Sequence, residues 1–357
     1  MMTLMRHQSH RSAHERTSTT MSQSTATTAA KAPTTAGEYV MNKKLGAIAM
    51  LLSATGMGLV GTISRGATAG LADADKSVIG SFLAFGRMTT GCLGFLLILW
   101  LTKKVGLFRS TKLSMTVILG GVCIGLSLGF YISSTLMTSI ANAVFLIYTG
   151  PLFCAILARI FRKEHISALA AVFLSLVFVG MLLTIGIIDF KNGGFVFGLD
   201  LSATSTEYPN KALGDLFGLL SGVFYGLAMF FYGYRKDIDS VVRGVWNFLW
   251  AAVATLIMSI ILSPWHGVST FTAYNWRWAV ALFLVCGLFA LGFLVVAGRN
   301  LPAVEYSTIA YWECPVAILC GLLVWGESLT PVGVIGGLLI VGGGLAPIVL
   351  DMMKRRG

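Results

Sequence analysis

The sequence predicts an all-α integral membrane protein, ten transmembrane helices arranged as two inverted five-helix repeats. Three observations carry that expectation. Of the 357 residues, 56% are hydrophobic and only 11% charged, against about 25% charged in an ordinary soluble domain, and the mean hydropathy is +0.80. Apolar windows of about 20 residues, the length that crosses a hydrocarbon core of about 30 Å, recur ten times after Lys44. The chain also repeats itself: LGAIAMLLSATGMGL, starting at Leu45, returns as LGDLFGLLSGVFYGL, starting at Leu213, with Leu-Gly, Leu-Leu-Ser and Gly-Leu in register.

Taken in order, residues 1–43 are rich in Ser, Thr and Ala and lack an apolar run, which predicts a disordered cytoplasmic tail. No short apolar core with a small-residue cleavage site marks it as a signal peptide, its histidines His7, His10 and His14 are read as solvated, and Met21 and Met41 leave later translation starts open. The first repeat is placed at 44–188, with spans at 45–64, 78–101, 113–133, 140–161 and 167–188. A Gly-, Ser- and Thr-containing stretch at 189–211 is the longest connection and predicts a flexible extracytoplasmic linker. The second repeat, 212–350, has spans at 212–232, 242–262, 278–297, 304–325 and 331–350, and 351–357 form a basic cytoplasmic C-terminal tail.

Charge tests the count. With the N-terminus inside, 20 of the 26 Lys and Arg residues fall on inner segments, and only Arg65, Lys76, Arg87, Lys191, Lys211 and Arg277 lie outside or within a span. This is the positive-inside asymmetry of an even number of spans with both termini cytoplasmic. Five spans per half is an odd number, so the second copy enters the membrane inverted. The net charge of +11 is therefore read as membrane orientation and not as a nucleic-acid surface. The six cysteines all fall in apolar spans without a CxxC pair, which indicates neither a disulfide framework nor a metal site; no cofactor motif is present.

Two motif pairs carry a resemblance. YTGPLFCAILARIFRKEHIS, from Tyr148, places Pro151 ahead of Glu164; YWECPVAILCGLLVWGESLTPVGVIGGLLIVGGG, from Tyr311, places Pro315 ahead of Glu327 and a glycine-rich last helix. With the opening of the sixth span, these segments resemble the drug/metabolite transporter superfamily, in particular its ten-helix members with two EamA-type repeats, over about residues 44–350. The resemblance implies a secondary transporter of a small metabolite, amino acid or drug-like solute, working by alternating access in a bacterial inner membrane. It is silent on substrate, direction and proton coupling.

Charges inside spans mark the expected solute path, because a charge in hydrocarbon costs at least about 2.5 to 3.5 kcal/mol and usually faces water or a partner. Glu313, inside Tyr-Trp-Glu-Cys-Pro, and Arg87, well inside the second span, are the candidates; each can contact a polar solute, they can pair with each other, or Arg87 can snorkel outward. A buried carboxyl able to bind and release a proton also makes Glu313 the candidate for proton coupling. Tyr148, Asn142, Tyr306, Tyr311 and Trp312 are expected to line the cavity around them. Pro151 and Pro315, lacking an N–H, are expected to break or bend their helices near mid-membrane. Glu164 and Glu327 read as loop or capping carboxylates, and Asp215 as an acid complementing a helix N-terminus.

Glycines every four residues, Gly214, Gly218, Gly222 and Gly226 in the sixth span and Gly121, Gly125 and Gly129 in the third, put small ridges on one helix face. Such ridges pack helices in lipid; a homodimer contact is an alternative use. A facilitator or exchanger without proton coupling is the nearest alternative function, and a membrane scaffold a more distant one. An enzyme is disfavoured, since neither HExxH nor a nucleophile–histidine constellation appears, and an ATP-driven pump lacks its phosphate loop.

Overall fold

The computed structural model describes residues 42–163, 168–185, 187–191, 194–197, 208–235, 237–301, 306, 309–328 and 330–354. The tail at 1–41, Glu164, His165 and most of the linker lie outside the described residues. The first span is α1, Lys43–Gly58, continuing past Leu59 into α2, Val60–Ala67; the Asn42 side chain caps it by accepting from the Leu45 N–H at 3.1 Å. Then come α3, Asp73–Leu101, the short α4, Val105–Ser110, and α5, Met115–Met137. The fourth span is broken into α6, Ile140–Ile147, and α7, Gly150–Phe161, and α8 covers Ala168–Ile185.

In the second half α9 is Lys211–Tyr232 and α10 Ser240–Leu262. The short α11, Trp265–Ser269, leads to α12, Ala273–Ala281, which runs through a π-helical stretch, Leu282–Phe289, into α13, Ala290–Asn300. Last are α14, Glu313–Trp325, and α15, Pro331–Lys354. Among the described residues, seven helical segments are long and apolar enough to cross a membrane, and Ala171–Thr184, Glu313–Trp325 and Pro331–Ala346 are shorter apolar helices. Their outward faces carry Leu323, Ile261, Phe161 and Trp100 exposed, the reverse of a soluble surface and the composition that lipid selects.

One element departs from the helical expectation. The stretch read as the start of a flexible linker opens with an antiparallel hairpin, β1, Ile188–Lys191, against β2, Gly194–Phe197, with Ile188 opposite Phe197. Its cause was present in the residues: Asn192-Gly193 between two short aromatic and β-branched runs is a strong hairpin signal.

Packing follows the internal repeat. The first span packs on α13 and its counterpart α9 on α5; α3 packs on its own counterpart α10, and α8 on its counterpart α15. Both glycine ridges lie inside further contacts of the same chain, that of α9 mainly against α6 and α7 and that of α5 against α10. A Cβ added at Gly222 would meet the Leu146 carbonyl oxygen at 2.5 Å and one at Gly226 the Gly150 carbonyl oxygen at 2.6 Å, while Gly125 faces Ala251 Cα at 2.6 Å. Close backbone approach, not contact with a second copy, uses these faces. Gly125→Leu should therefore overpack the α5–α10 contact by roughly 1–3 kcal/mol and lower the thermal midpoint of detergent-solubilised protein by several degrees. Gly106→Leu, with nothing within 4 Å of its Cβ position, is the matched control; equal midpoints for the two variants would refute the packing role.

At one end of the bundle Lys104 pairs with Asp239, and Arg235 donates to the Lys112 carbonyl at 3.4 Å. Asp239 also caps α10, accepting from the Val241 N–H at 2.9 Å. Partial burial pushes its carboxyl up, but the Lys104 hydrogen bond and the helix N–H groups outweigh that and hold it below the usual carboxylate range.

Candidate functional site

The helix breaks bring the two motif pairs face to face. The fourth span is interrupted at Tyr148–Thr149, and the chain turns again at Tyr311–Trp312 before α14. Pro151 and Pro315 each sit in the first turn of the segment that follows, where a missing N–H costs no helical bond. Tyr148 and Tyr311, equivalent residues of the two repeats, lie ring against ring with centroids 5.1 Å apart. The Tyr148 hydroxyl donates to Glu313 Oε2 at 2.9 Å.

Glu313 opens onto a cavity of about 440 Å³ whose wall also contains Arg87, Tyr131, Tyr148, Tyr225, Asn247 and Tyr306. Phe95, Phe248 and several Leu and Ile side chains complete a mainly apolar lining, and Tyr232, Ser240 and Arg243 carry the cavity toward the Lys104–Asp239 end. This volume lies in the range of sites for metabolites and small drugs. Arg87 is 1% exposed, so it does not snorkel. Its Nε donates to the Cys286 carbonyl at 3.2 Å and its Nη2 faces Met57 Sδ at 2.7 Å. No ion pair within 4.0 Å joins it to Glu313; the two charges occupy one cavity without closing on each other.

The opposite end of the bundle holds a second cluster. Arg65 Nη1 pairs with Glu327 Oε1 at 2.7 Å, while Nε and Nη2 donate to the carbonyls of Thr135 and Thr138 at 2.8 and 2.7 Å. Glu327 also accepts the Ile140 N–H at 2.8 Å and the Tyr208 hydroxyl at 3.2 Å, and the guanidinium lies 5.3 Å from the Tyr208 ring centroid. Glu327 is thus a capping carboxylate, but it caps α6 from the turn after α14 and is 4% exposed. Gly326, in the left-handed region at φ 65°, ends α14 and turns the chain back so that the Glu327 N–H reaches the Gly321 carbonyl at 3.1 Å. Gly321 leaves the room that the Glu327 carboxylate fills. Above the cluster lies a cavity of about 330 Å³, lined by Arg65, Asp73, Lys76, Tyr208 and Asn210, with Leu136, Met137 and Trp325 among its apolar lining.

Comparison with known proteins gives one decisive finding. The family model of the EamA-like transporter family matches residues 44–186 and again 212–346. The chain belongs to the EamA-like transporter family. No curated protein matches it. A solved structure described only as a crystal structure of a protein superposes with a TM-score of 0.50 at 15% identity, over 88% of this chain and 99% of its own; at that identity the likeness concerns the fold alone.

EamA membership makes this a multi-pass membrane protein of a transporter family, not of an enzyme family, with a small solute and membrane lipid as its partners. Within the EamA frame, the expected site residues divide. Glu313, Arg87, Tyr148 and Tyr306 share the large cavity. Asn142, Tyr311 and Trp312 do not line it. Asn142 Nδ2 instead donates to Asp215 Oδ1 at 3.3 Å, beside the Thr138 hydroxyl bonded to the same oxygen at 2.7 Å and the Lys211 ammonium. Asp215 lies past the first turn of α9, where the dipole effect has fallen off, and is a buried hub for these donors. Tyr311 is held against Tyr148 and the Gly344 side of α15, and Trp312 is 45% exposed with its Nε1 donating to Thr55 Oγ1 at 3.2 Å. A break turns successive side chains in different directions, so neighbours in sequence do not share a wall. Tyr131, Tyr225, Asn247 and Arg243 were missed; each looks in sequence like any polar residue of a helix.

Proposed function

We propose that the chain is a secondary transporter with ten membrane crossings in two inverted five-helix repeats, both termini cytoplasmic, in the inner membrane. It carries a small metabolite, amino acid or drug-like solute by alternating access. The observation that supports this reading most is the pairing of one open end with one closed end. The cavity holding Arg87 and Glu313 runs toward the side rich in Lys and Arg, which the positive-inside rule makes cytoplasmic, whereas the Arg65–Glu327 pair and the apolar core around Ile79, Leu83, Ile132 and Val144 separate it from the other side. This is the arrangement of an inward-facing carrier with its site near the repeat interface.

Glu313 is the residue assigned to proton coupling, since it alone brings a carboxyl to the cavity wall among the described residues. A homodimer, if formed, uses another face, because the glycine ridges are filled within the chain. The test is uptake by sealed vesicles containing purified protein, screened against amino acids, organic acids and amines with and without an imposed pH gradient. Gradient-dependent uptake is the expected result. Uptake indifferent to the gradient would make the protein a facilitator, and no uptake of any solute would overturn the transport reading.

A further inference from the structure

Three buried polar atoms on the wall of the large cavity have no hydrogen-bond partner: Arg87 Nη1, the Tyr131 hydroxyl and Asn247 Oδ1. All three residues are at least nine-tenths buried. A guanidinium placed among helices is normally matched by a carboxylate, because an unpaired buried charge is costly. Here one of its nitrogens faces a thioether, a poor acceptor, and another faces nothing. Resting on the transport reading above, we propose that Arg87 and Tyr131 form an anion subsite that holds the carboxylate of an amphipathic solute, the rest of which lies against the aromatic and aliphatic wall.

Charge balance favours an acid over a base. The described lining carries two guanidinium groups, Arg87 and Arg243, against the single carboxylate of Glu313, and Glu313 already accepts from Tyr148. Arg243 Nη1 is engaged with the Tyr232 carbonyl at 3.0 Å and its side chain is only partly buried, so Arg87 is the guanidinium whose buried donor lacks a partner. A carboxylate reaching Nη1 can accept from the Tyr131 hydroxyl with its second oxygen, a charge-assisted pair of bonds that no amine can make. The solute's apolar body meets Phe95, Phe248 and Leu128. The subsite therefore selects carboxylates with an apolar tail, whether simple organic acids or zwitterions, and rejects plain cations.

Three probes that share one ring and differ in charge separate these cases: 3-phenylpropanoate, phenylalanine and 2-phenylethylamine, titrated into purified full-length protein by calorimetry. At least one of the two carboxylates should bind at least tenfold more tightly than the amine. Binding of phenylpropanoate identifies a simple acid site, and binding of phenylalanine alone adds a requirement for the ammonium. Arg87→Gln should weaken carboxylate binding at least tenfold and Tyr131→Phe several-fold, with the ring retained. If Arg87→Gln fails to fold, the charge series on the unmodified protein and Tyr131→Phe decide the matter. Equal or tighter binding of the amine, indifference to Tyr131→Phe, or no binding of either acid up to about 10 mM overturns the subsite. Vesicle counterflow of the same probes keeps the two ideas apart. Carried amine with excluded acids would sink the subsite and leave transport standing, whereas bound acids with no solute of any kind carried would sink transport and leave the subsite.

Discussion

Glu313→Gln is expected to reduce pH-gradient-driven uptake by about ten- to hundredfold while leaving membrane insertion and yield close to those of the parent. The magnitude follows from the chemistry: the proton-exchanging group is removed, and the charged hydrogen bond, about 1.5–3 kcal/mol with each 1.4 kcal/mol worth tenfold, becomes a weaker neutral one. Gln preserves the shape of Glu and can still accept from the Tyr148 hydroxyl, now bonded to the carboxylate at 2.9 Å, but it cannot exchange a proton. Its effect should thus fall on net, gradient-driven flux more than on solute exchange with equal pH on both sides. Tyr148→Phe, which removes the same hydrogen bond and keeps the carboxyl, should slow both modes together. Parent-like gradient-driven uptake in Glu313→Gln would remove proton coupling from this residue, and misfolding of the variant would make the Tyr148 bond structural.

The second large effect is expected at the other end of the bundle. Glu327→Gln leaves Arg65 without its anionic partner in a site where the two side chains are 12% and 1% exposed, and breaking such a pair costs roughly 3–5 kcal/mol. If the pair holds the outer side closed, that cost falls on the inward-facing state and shifts the population toward an outward-open one by about a hundredfold or more. A cysteine introduced at Leu136, on the wall of the outer cavity and 9% exposed, should then react many times faster with a membrane-impermeant thiol reagent, compared with Leu136→Cys alone. Arg65→Gln should act in the same direction, since it breaks the same pair and frees the carbonyls of Thr135 and Thr138. Unchanged labelling in both variants would make the cluster a static brace of α6 and not a gate.

The motifs that carried family identity and those that build the sites were legible to different degrees. Tyr148 and Tyr311 stood out through matching Pro-containing segments, and Arg87 and Glu313 through charge within apolar runs. Glu327 was read as a loop or capping carboxylate and is both, but nothing in its neighbours says that Arg65, Ile140 and Tyr208 converge on it from 262, 187 and 119 positions away. Asn142 turned to Asp215 and Trp312 to Thr55 instead of to the cavity. The orphan hydroxyl of Tyr131 has no signature in sequence whatever.

Composition, the repeat of Leu-Gly, Leu-Leu-Ser and Gly-Leu and the two Pro–Glu motif segments by themselves determined that this chain enters a bilayer, how its two halves correspond and which family it resembles. These are properties of local segments, since an apolar helix satisfies its own backbone and needs no distant partner to be apolar. Only the tertiary structure decided which polar groups meet: Arg65 with Glu327, Asn142 with Asp215, Tyr148 with Glu313, and Arg87 with no carboxylate at ion-pair distance among the described residues. The reason is physical. Each of those pairings depends on helix rotation set by close backbone contact at glycine, and a rotation is a sum over the whole packed bundle that no single segment encodes.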